Sequence, residues 1–186
     1  MSKVALLLSC LLLGACKNEV EVNQINTVDE IMECEGSQST CELLINEAVA
    51  KLPMELQDKV VDTSEKLVIY TGKNEERLKS RGLSGITLYT YQKPTVIFTT
   101  AKSHVLFHEI GHAYDMTYLH NGEELLSHSK EWVDAYSTEF ISRYGQTSEE
   151  EFYAETFAMY FKNPKALQKL CPKAYELHEK EFKDMK

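Results

Sequence analysis

The sequence lacks a dense lysine or arginine cluster, a CxxC pair, an internal repeat and a long apolar run. A nucleic-acid binder presents a basic face, so the first absence, with a formal net charge of −9, argues against that function. Without a CxxC pair, a zinc site built from cysteines is not expected. The composition is 43% hydrophobic and 26% charged, which is typical of a globular chain, and 186 residues predict one domain.

The N-terminal segment has the pattern of a secretory signal. Its apolar run, Val4 to Leu13, follows one lysine, ends in small residues and is too short to span a bilayer as a helix. The letters LGAC, which end at Cys16, resemble the lipobox of bacterial lipoproteins, so we expect cleavage before Cys16 and a lipid on that residue. A plain signal peptide with an incidental cysteine is the alternative.

This pattern divides the chain into three parts. We predict a signal peptide over 1–15, a lipidated N-terminus and tether over 16–39, and a folded domain over 40–186. The protein would then be extracytoplasmic, anchored by lipid to a bacterial membrane.

Three cysteines remain beyond the signal and the lipidation site: Cys34, Cys41 and Cys171. A disulfide is expected outside the cytoplasm. Loop length favours the pair Cys34–Cys41, which would leave Cys171 free. Either of the first two could instead pair with Cys171, and the sequence alone does not decide between these pairings.

Hydrophobic periodicity predicts an α+β fold, with a small antiparallel sheet and an edge hairpin followed by a mainly helical lobe. A helix begins near Thr40 and runs to Pro53, and a strand follows over 66–72. The β-rich segments 86–91 and 95–100 are expected to pair as an antiparallel hairpin. Helices are then predicted over 103–118, 123–142, 148–162 and 164–184.

Residues 108–112 read HEIGH, an HExxH pattern inside a predicted helix. His108 and His112 are four apart, so their rings share one helix face and can converge on one metal ion. Glu109 lies beside them and can take a proton from a metal-bound water that attacks a carbonyl. Two hydrogen-bonded core histidines are the alternative.

Gly111 costs about 1 kcal/mol in a helix relative to alanine, which predicts close packing against it.

A catalytic zinc ion needs a third protein ligand. The extended pattern HExxHxxGxxH does not supply it, because position 118 is Tyr118 rather than histidine. His120 and His128 are off that spacing and are expected at the surface. Asp115 could support the site or an adjoining loop, or lie exposed on the helix.

The predicted helix that follows Ser148 carries four glutamates, and helical phase separates them into two pairs. Glu149 and Glu150 point toward solvent near the helix N-terminus, where negative charge is favourable. Glu151 and Glu155 fall within the apolar face, where a carboxylate must be paired or bound to metal. Ser148 and Glu151 also fit a capping box, and Glu155 could pair with a lysine. With HExxH present, one becomes the third ligand and the other supports a ligand histidine, and helical phase does not say which.

The segments HEIGHAYD and YGQTSEEEFYAETF resemble the catalytic domain of anthrax lethal factor and the bacterial Pro-Pro endopeptidases, which are glutamate-zincins. In that family the third ligand lies seven residues after a tyrosine and four before a second acid. The resemblance implies Glu151 as zinc ligand, Glu155 as the supporting acid, and Tyr144 as the phenol that stabilises the oxyanion. The alternative for Tyr144 is a loop aromatic that packs near Gly145.

The resemblance extends over roughly residues 66–162 and implies a zincin-type catalytic lobe. In that family the strand before the zinc helix binds the substrate backbone, so the hairpin would line the cleft. An ordinary hairpin with no part in binding is the alternative. We therefore expect a monomeric zinc metalloendopeptidase, with one Zn²⁺ per chain, that cleaves an extracytoplasmic protein or peptide. A zinc-stabilised surface lipoprotein that binds a partner protein without catalysis is the alternative.

Overall fold

The structure is a computed structural model and describes residues 27–90 and 93–185. The predicted signal peptide and the predicted lipidation site at Cys16 lie outside these residues. Across the described part of the chain, every helix is too short or too polar to cross a membrane.

The described residues form a four-stranded sheet and a set of helices. The strands are β1 (Met32–Glu35), β2 (Ser64–Tyr70), β3 (Gly85–Thr90) and β4 (Lys93–Thr100). The helices are α1 (Gln38–Lys51), α2 (Met54–Thr63), α3 (Glu76–Lys79), α4 (Ser103–His120), α5 (Lys130–Thr138), α6 (Glu149–Lys162), α7 (Pro164–Leu170) and α8 (Pro172–Phe182). Short 3-10 turns lie at Val28–Ile31, Gly72–Glu75 and Leu126–His128.

The sheet has the strand order β1-β2-β4-β3 and is mixed rather than antiparallel throughout. The hairpin of β3 and β4 is antiparallel and lies at the edge, as predicted, and the α+β class is confirmed. Strand β2, however, runs parallel to both β1 and β4. The helices α1 and α2 connect β1 to β2, and they supply the long crossover connection that a parallel pair requires.

Part of the segment that we predicted to be a tether belongs to the fold. Val28 is fully buried, and its N–H donates to the side chain of Gln57. Strand β1 extends the sheet, and a disulfide between Cys34 and Cys41 joins it to α1. The predicted domain start at residue 40 is therefore too late. The disulfide is the pairing that loop length favoured, and Cys171 is free and buried.

Two predicted helices are shorter than expected. The predicted helix 123–142 is reduced to α5. The segment before α5 contains the 3-10 turn Leu126–His128, where the Ser127 N–H donates to Asp115. The predicted helix 164–184 is divided into α7 and α8 at Pro172, which lacks an N–H and suits the first turn of a new helix.

Helix α4 lies between the sheet and α6 and contributes much of the core. It packs tightly against α6 at Gly111, where a Cβ atom would lie 3.1 Å from side-chain atoms of Phe157. This confirms the close packing that the mid-helix glycine predicted. A larger side chain at this position, three residues after His108, would therefore push α4 and α6 apart.

We predict that Gly111→Ala separates α4 from α6 by a few tenths of an ångström. Overpacking of about 1–3 kcal/mol outweighs the gain of about 1 kcal/mol in helix propensity, so the free energy of unfolding should fall modestly. Metal affinity should fall by about tenfold, because the two helices carry different members of the site described below. Urea unfolding and zinc titration measure the two effects. Wild-type zinc affinity in Gly111→Ala would contradict the prediction.

Candidate metal centre

Helices α4 and α6 bring three potential metal ligands together. His108 and His112 lie on one face of α4, as their spacing requires, and Glu151 lies in the first turn of α6. These residues form the one group of histidine, cysteine and acidic side chains in the described part of the chain whose ligand atoms converge as a metal site requires.

The ligand atoms are spaced as a metal ion needs them. Oε2 of Glu151 lies 3.0 Å from Nε2 of His108 and 3.3 Å from Nε2 of His112, and the two ring nitrogens are 3.1 Å apart. Tetrahedral ligands at the zinc–nitrogen distance of about 2.0–2.1 Å are separated by about 3.4 Å. Two imidazoles and one carboxylate are a donor set that zinc accepts, so the residues present fit the ion.

Glu151 has two roles: its N–H takes part in the N-terminal cap of α6, and its carboxylate belongs to the potential metal site. Its N–H donates to Oγ of Ser148 at 3.3 Å, which is the first half of the predicted capping box. Its carboxylate turns away from the helix end, toward the two histidines and the Tyr144 hydroxyl, which donates to Oε1 at 2.9 Å. Burial opposes ionisation, but the contacts with His108 and His112 hold the pKa of Glu151 below its ordinary value.

Glu155 lies one turn later and supports His108 from its other ring nitrogen. Its Oε1 is 3.1 Å from Nδ1 of His108, off the line of the N–H bond, and 3.1 Å from Nε2 of His104. Its Oε2 accepts a hydrogen bond from the Ser142 hydroxyl at 3.1 Å. The sequence motifs did not single out His104 or Ser142. The signal for His104 was its position one helical turn before His108.

The protonation of His108 depends on its position between Glu151 and Glu155. Burial alone would lower the pKa of His108, but the adjacent carboxylates of Glu151 and Glu155 raise it to about 9. The two carboxylates therefore favour the protonated form of His108 when no metal ion is bound. A metal ion that binds there must displace that proton.

Glu109 lies beside the ligand histidines on α4, and its carboxylate contacts β3. Only 5% of the residue is exposed, and its Oε2 accepts a hydrogen bond from the Thr87 hydroxyl at 2.7 Å. Burial raises the pKa of this carboxyl group above its ordinary value, as expected for a general base. Clefts of about 290 and 420 Å³ adjoin it, and Glu109 and Tyr144 line both.

Tyr144 is 55% exposed, so it does not pack as a buried loop aromatic. Its ring centroid is 5.7 Å from that of His108. Burial of the hydroxyl and the nearby charge of Glu151 raise the pKa of Tyr144, which keeps the phenol a neutral hydrogen-bond donor.

Several other predicted residues lie outside the metal centre. Asp115 is fully buried and accepts a hydrogen bond from the Ser127 N–H in the turn before α5. It therefore supports an adjoining loop, which was one of the three roles proposed for it. Nε2 of His120 lies 3.4 Å from Oγ1 of Thr95. His128 pairs with Glu150 at 2.6 Å, and Glu149 lines neither cleft.

We expect Glu151→Ala to weaken zinc binding more than Glu155→Ala. The first change removes an atom of the ligand set, whereas the second removes a support of one histidine and should cost about 10–100-fold in affinity. Isothermal titration with zinc measures both, with Glu149→Ala on the same helix as the matched control. A larger loss for Glu155→Ala would exchange the two roles.

Comparisons with known proteins agree with the geometry. Residues 96–181 match the family model described as anthrax toxin lethal factor, N- and C-terminal domain. The solved structure of the Pro-Pro endopeptidase PPEP-2 from Paenibacillus alvei superposes with a TM-score of 0.63 at 17% sequence identity. The match covers 83% of this chain and 99% of that one. Curated protein sequences yield no significant match. The chain is thus similar to lethal factor in sequence over residues 96–181 and has the fold of a Pro-Pro endopeptidase, as its motifs predicted.

Proposed function

We propose that this protein is a zinc-dependent metalloendopeptidase that hydrolyses peptide bonds of an extracytoplasmic protein or peptide. The observation that carries the proposal is the convergence of His108, His112 and Glu151 beside clefts lined by the buried carboxylate of Glu109. A purely structural metal site needs neither a neighbouring base nor an adjoining cleft. The likeness to lethal factor and to an endopeptidase supports peptidase chemistry.

In this proposal His108, His112 and Glu151 hold the zinc ion, and Glu155 orients His108. When bound, zinc supplies Lewis acidity, which polarises the scissile carbonyl group and lowers the pKa of water. The support from Glu155 keeps Nε2 of His108 beside the ligand atoms of Glu151 and His112, since the contact to Nδ1 limits ring rotation.

Glu109 and Tyr144 carry out the proton and charge steps. Glu109 takes the proton of the attacking water and then passes it to the leaving amine. The hydroxyl of Tyr144 releases Glu151 and donates its hydrogen bond to the oxygen on which negative charge develops. Its exposure and its position on the rim of both clefts allow this movement.

The strand directly before α4 is β4, which pairs with β2 on one side and β3 on the other and so has no free edge for a substrate, contrary to expectation. The substrate would instead lie along β3, the edge strand that borders the clefts, and would extend the sheet by pairing with it. The first cleft is lined by Leu83, His104, Val105 and Glu155 besides the residues already named. The second includes Ile86, Met116, Ser148 and Glu150. A peptide that crosses the metal centre would place side chains in both.

Replacement of Glu109 by glutamine should separate catalysis from metal binding. We expect zinc content near one per chain and a loss of peptide cleavage by at least about 10²–10⁴-fold, because the base is gone while the ligands remain. Cleavage of a peptide library that includes proline-rich sequences, with chelator and after zinc return, measures the activity. Glu149→Gln on α6 is the control and should cleave as wild type.

Retained cleavage by Glu109→Gln would refute this mechanism. A wild-type protein that binds zinc and gains thermal stability from it, but cleaves no peptide, would favour the alternative of a zinc-stabilised binding protein.

We further propose that a lipid on Cys16 anchors the protein to a bacterial membrane. The support is the signal pattern of residues 1–15 and the lipobox-like letters before Cys16. Cys16→Ala should therefore move the full-length protein from the membrane fraction to the soluble fraction of expressing bacteria. An unchanged distribution between the two fractions would refute the anchor.

A further inference from the structure

Strand β3 faces Glu109 with two residues, Gly85 and Thr87. They are two positions apart, and side chains alternate along a strand, so both lie on the face turned toward α4. HExxH explains why a glutamate stands next to a ligand histidine. It does not explain what holds that carboxylate in one place.

At Gly85 the carboxylate of Glu109 occupies the space that a side chain would fill. A Cβ atom built on residue 85 would lie 2.7 Å from both Cγ and Cδ of Glu109 and in closer contact with Oε1. Real Cβ atoms essentially never come under 3.0 Å of another heavy atom, so any side chain here must displace Glu109 or the strand. Glycine therefore lets the carboxylate lie directly against the strand backbone.

At Thr87 the contact is a hydrogen bond. The hydroxyl donates to Oε2 of Glu109 at 2.7 Å, and the main-chain oxygen of Glu109 lies 3.2 Å from the same hydroxyl. With Glu109 only 5% exposed, water has little access to replace this donor. Thr87 thus binds Oε2 of the Glu109 carboxylate, and the missing side chain of Gly85 leaves the space beside Oε1 in which the carboxylate lies.

We propose that Gly85 and Thr87 are positioning residues, which clamp the Glu109 carboxylate against the edge strand in the orientation that proton transfer requires. The inference rests on the proposed function, in which Glu109 is the general base. Both residues act through Glu109, Gly85 by leaving room for it and Thr87 by a hydrogen bond. The strand that would bind the peptide backbone then also holds Glu109, so β3 fixes the position of the base relative to the substrate.

The kinetic test compares zinc-loaded wild type with Thr87→Val, Thr87→Ser, Gly85→Ala and the control Thr63→Val. The control also loses a threonine hydroxyl, which donates to the Lys59 carbonyl at 2.9 Å near the end of α2. We expect Thr87→Val and Gly85→Ala to lower kcat by about 10–100-fold with KM within about twofold, since positioning fails while peptide binding persists. Thr87→Ser keeps the donor and should stay within about threefold of wild type. Zinc content should be one per chain in all five proteins.

A second measurement needs no activity. In metal-free protein with ¹³C-labelled glutamate carboxyl groups, the Glu109 resonance is assigned by its loss in Glu109→Gln. A clamped carboxylate gives one narrow resonance in wild type, Thr87→Ser and Thr63→Val, and a shifted or broadened one in Thr87→Val and Gly85→Ala.

An unchanged resonance in Thr87→Val and Gly85→Ala would overturn the clamp whether or not peptides are cleaved. In an active protein, unchanged kcat in both variants, failure of Thr87→Ser to rescue, or zinc loss in step with kcat would also overturn it. A wild-type protein without peptidase activity would refute the proposed function alone, because the resonance still tests the clamp.

Discussion

Phe157 of α6 lies against Gly111 of α4, where even a methyl group would come within 3.1 Å of its side chain. Because of this close approach, Glu151 on α6 reaches the two histidines of α4, although it lies 39 residues beyond His112 in the chain. A metal site assembled from two helices depends on their separation to within tenths of an ångström, since ligand distances vary little. The helix propensity lost at residue 111 is therefore offset by the geometry of the site.

The charge balance around this contact is unusual for a protein interior. Glu109, Glu151 and Glu155 are largely withdrawn from solvent, and buried carboxylates are unfavourable unless they are paired or bound to metal. Histidine donors meet two of them, which raises the pKa of His108 and lowers those of Glu151 and Glu155. The third, Glu109, has the Thr87 hydroxyl instead, and its pKa is raised by burial. The same interior thus separates two ionised carboxylates from one that is suited to exchange a proton.

Periodicity in the sequence predicted the hairpin, α4 and α6 well, because their patterns depend on contacts between residues close in the chain. It failed for β1, which is four residues long and belongs to the sheet only through its pairing with β2. It also failed for the segment before α5, where a hydrogen bond from Ser127 to Asp115, twelve residues away, outweighs helix propensity. In both cases a partner distant in the chain decides the local structure.

For the metal site too, the sequence determined some features and contacts between distant segments decided the others. The sequence by itself determined that His108 and His112 share a helix face, because an α-helix repeats every 3.6 residues whatever surrounds it. It placed Glu151 and Glu155 on one face of α6 for the same reason. Because the two residues are one helical turn apart and point in nearly the same direction, helical periodicity does not show which of them binds the metal ion. Only the crossing of α6 over α4 at Gly111 decided that Glu151 faces both Nε2 atoms while Glu155 meets Nδ1 of His108. That choice is a property of two helices in contact, and neither helix encodes it alone.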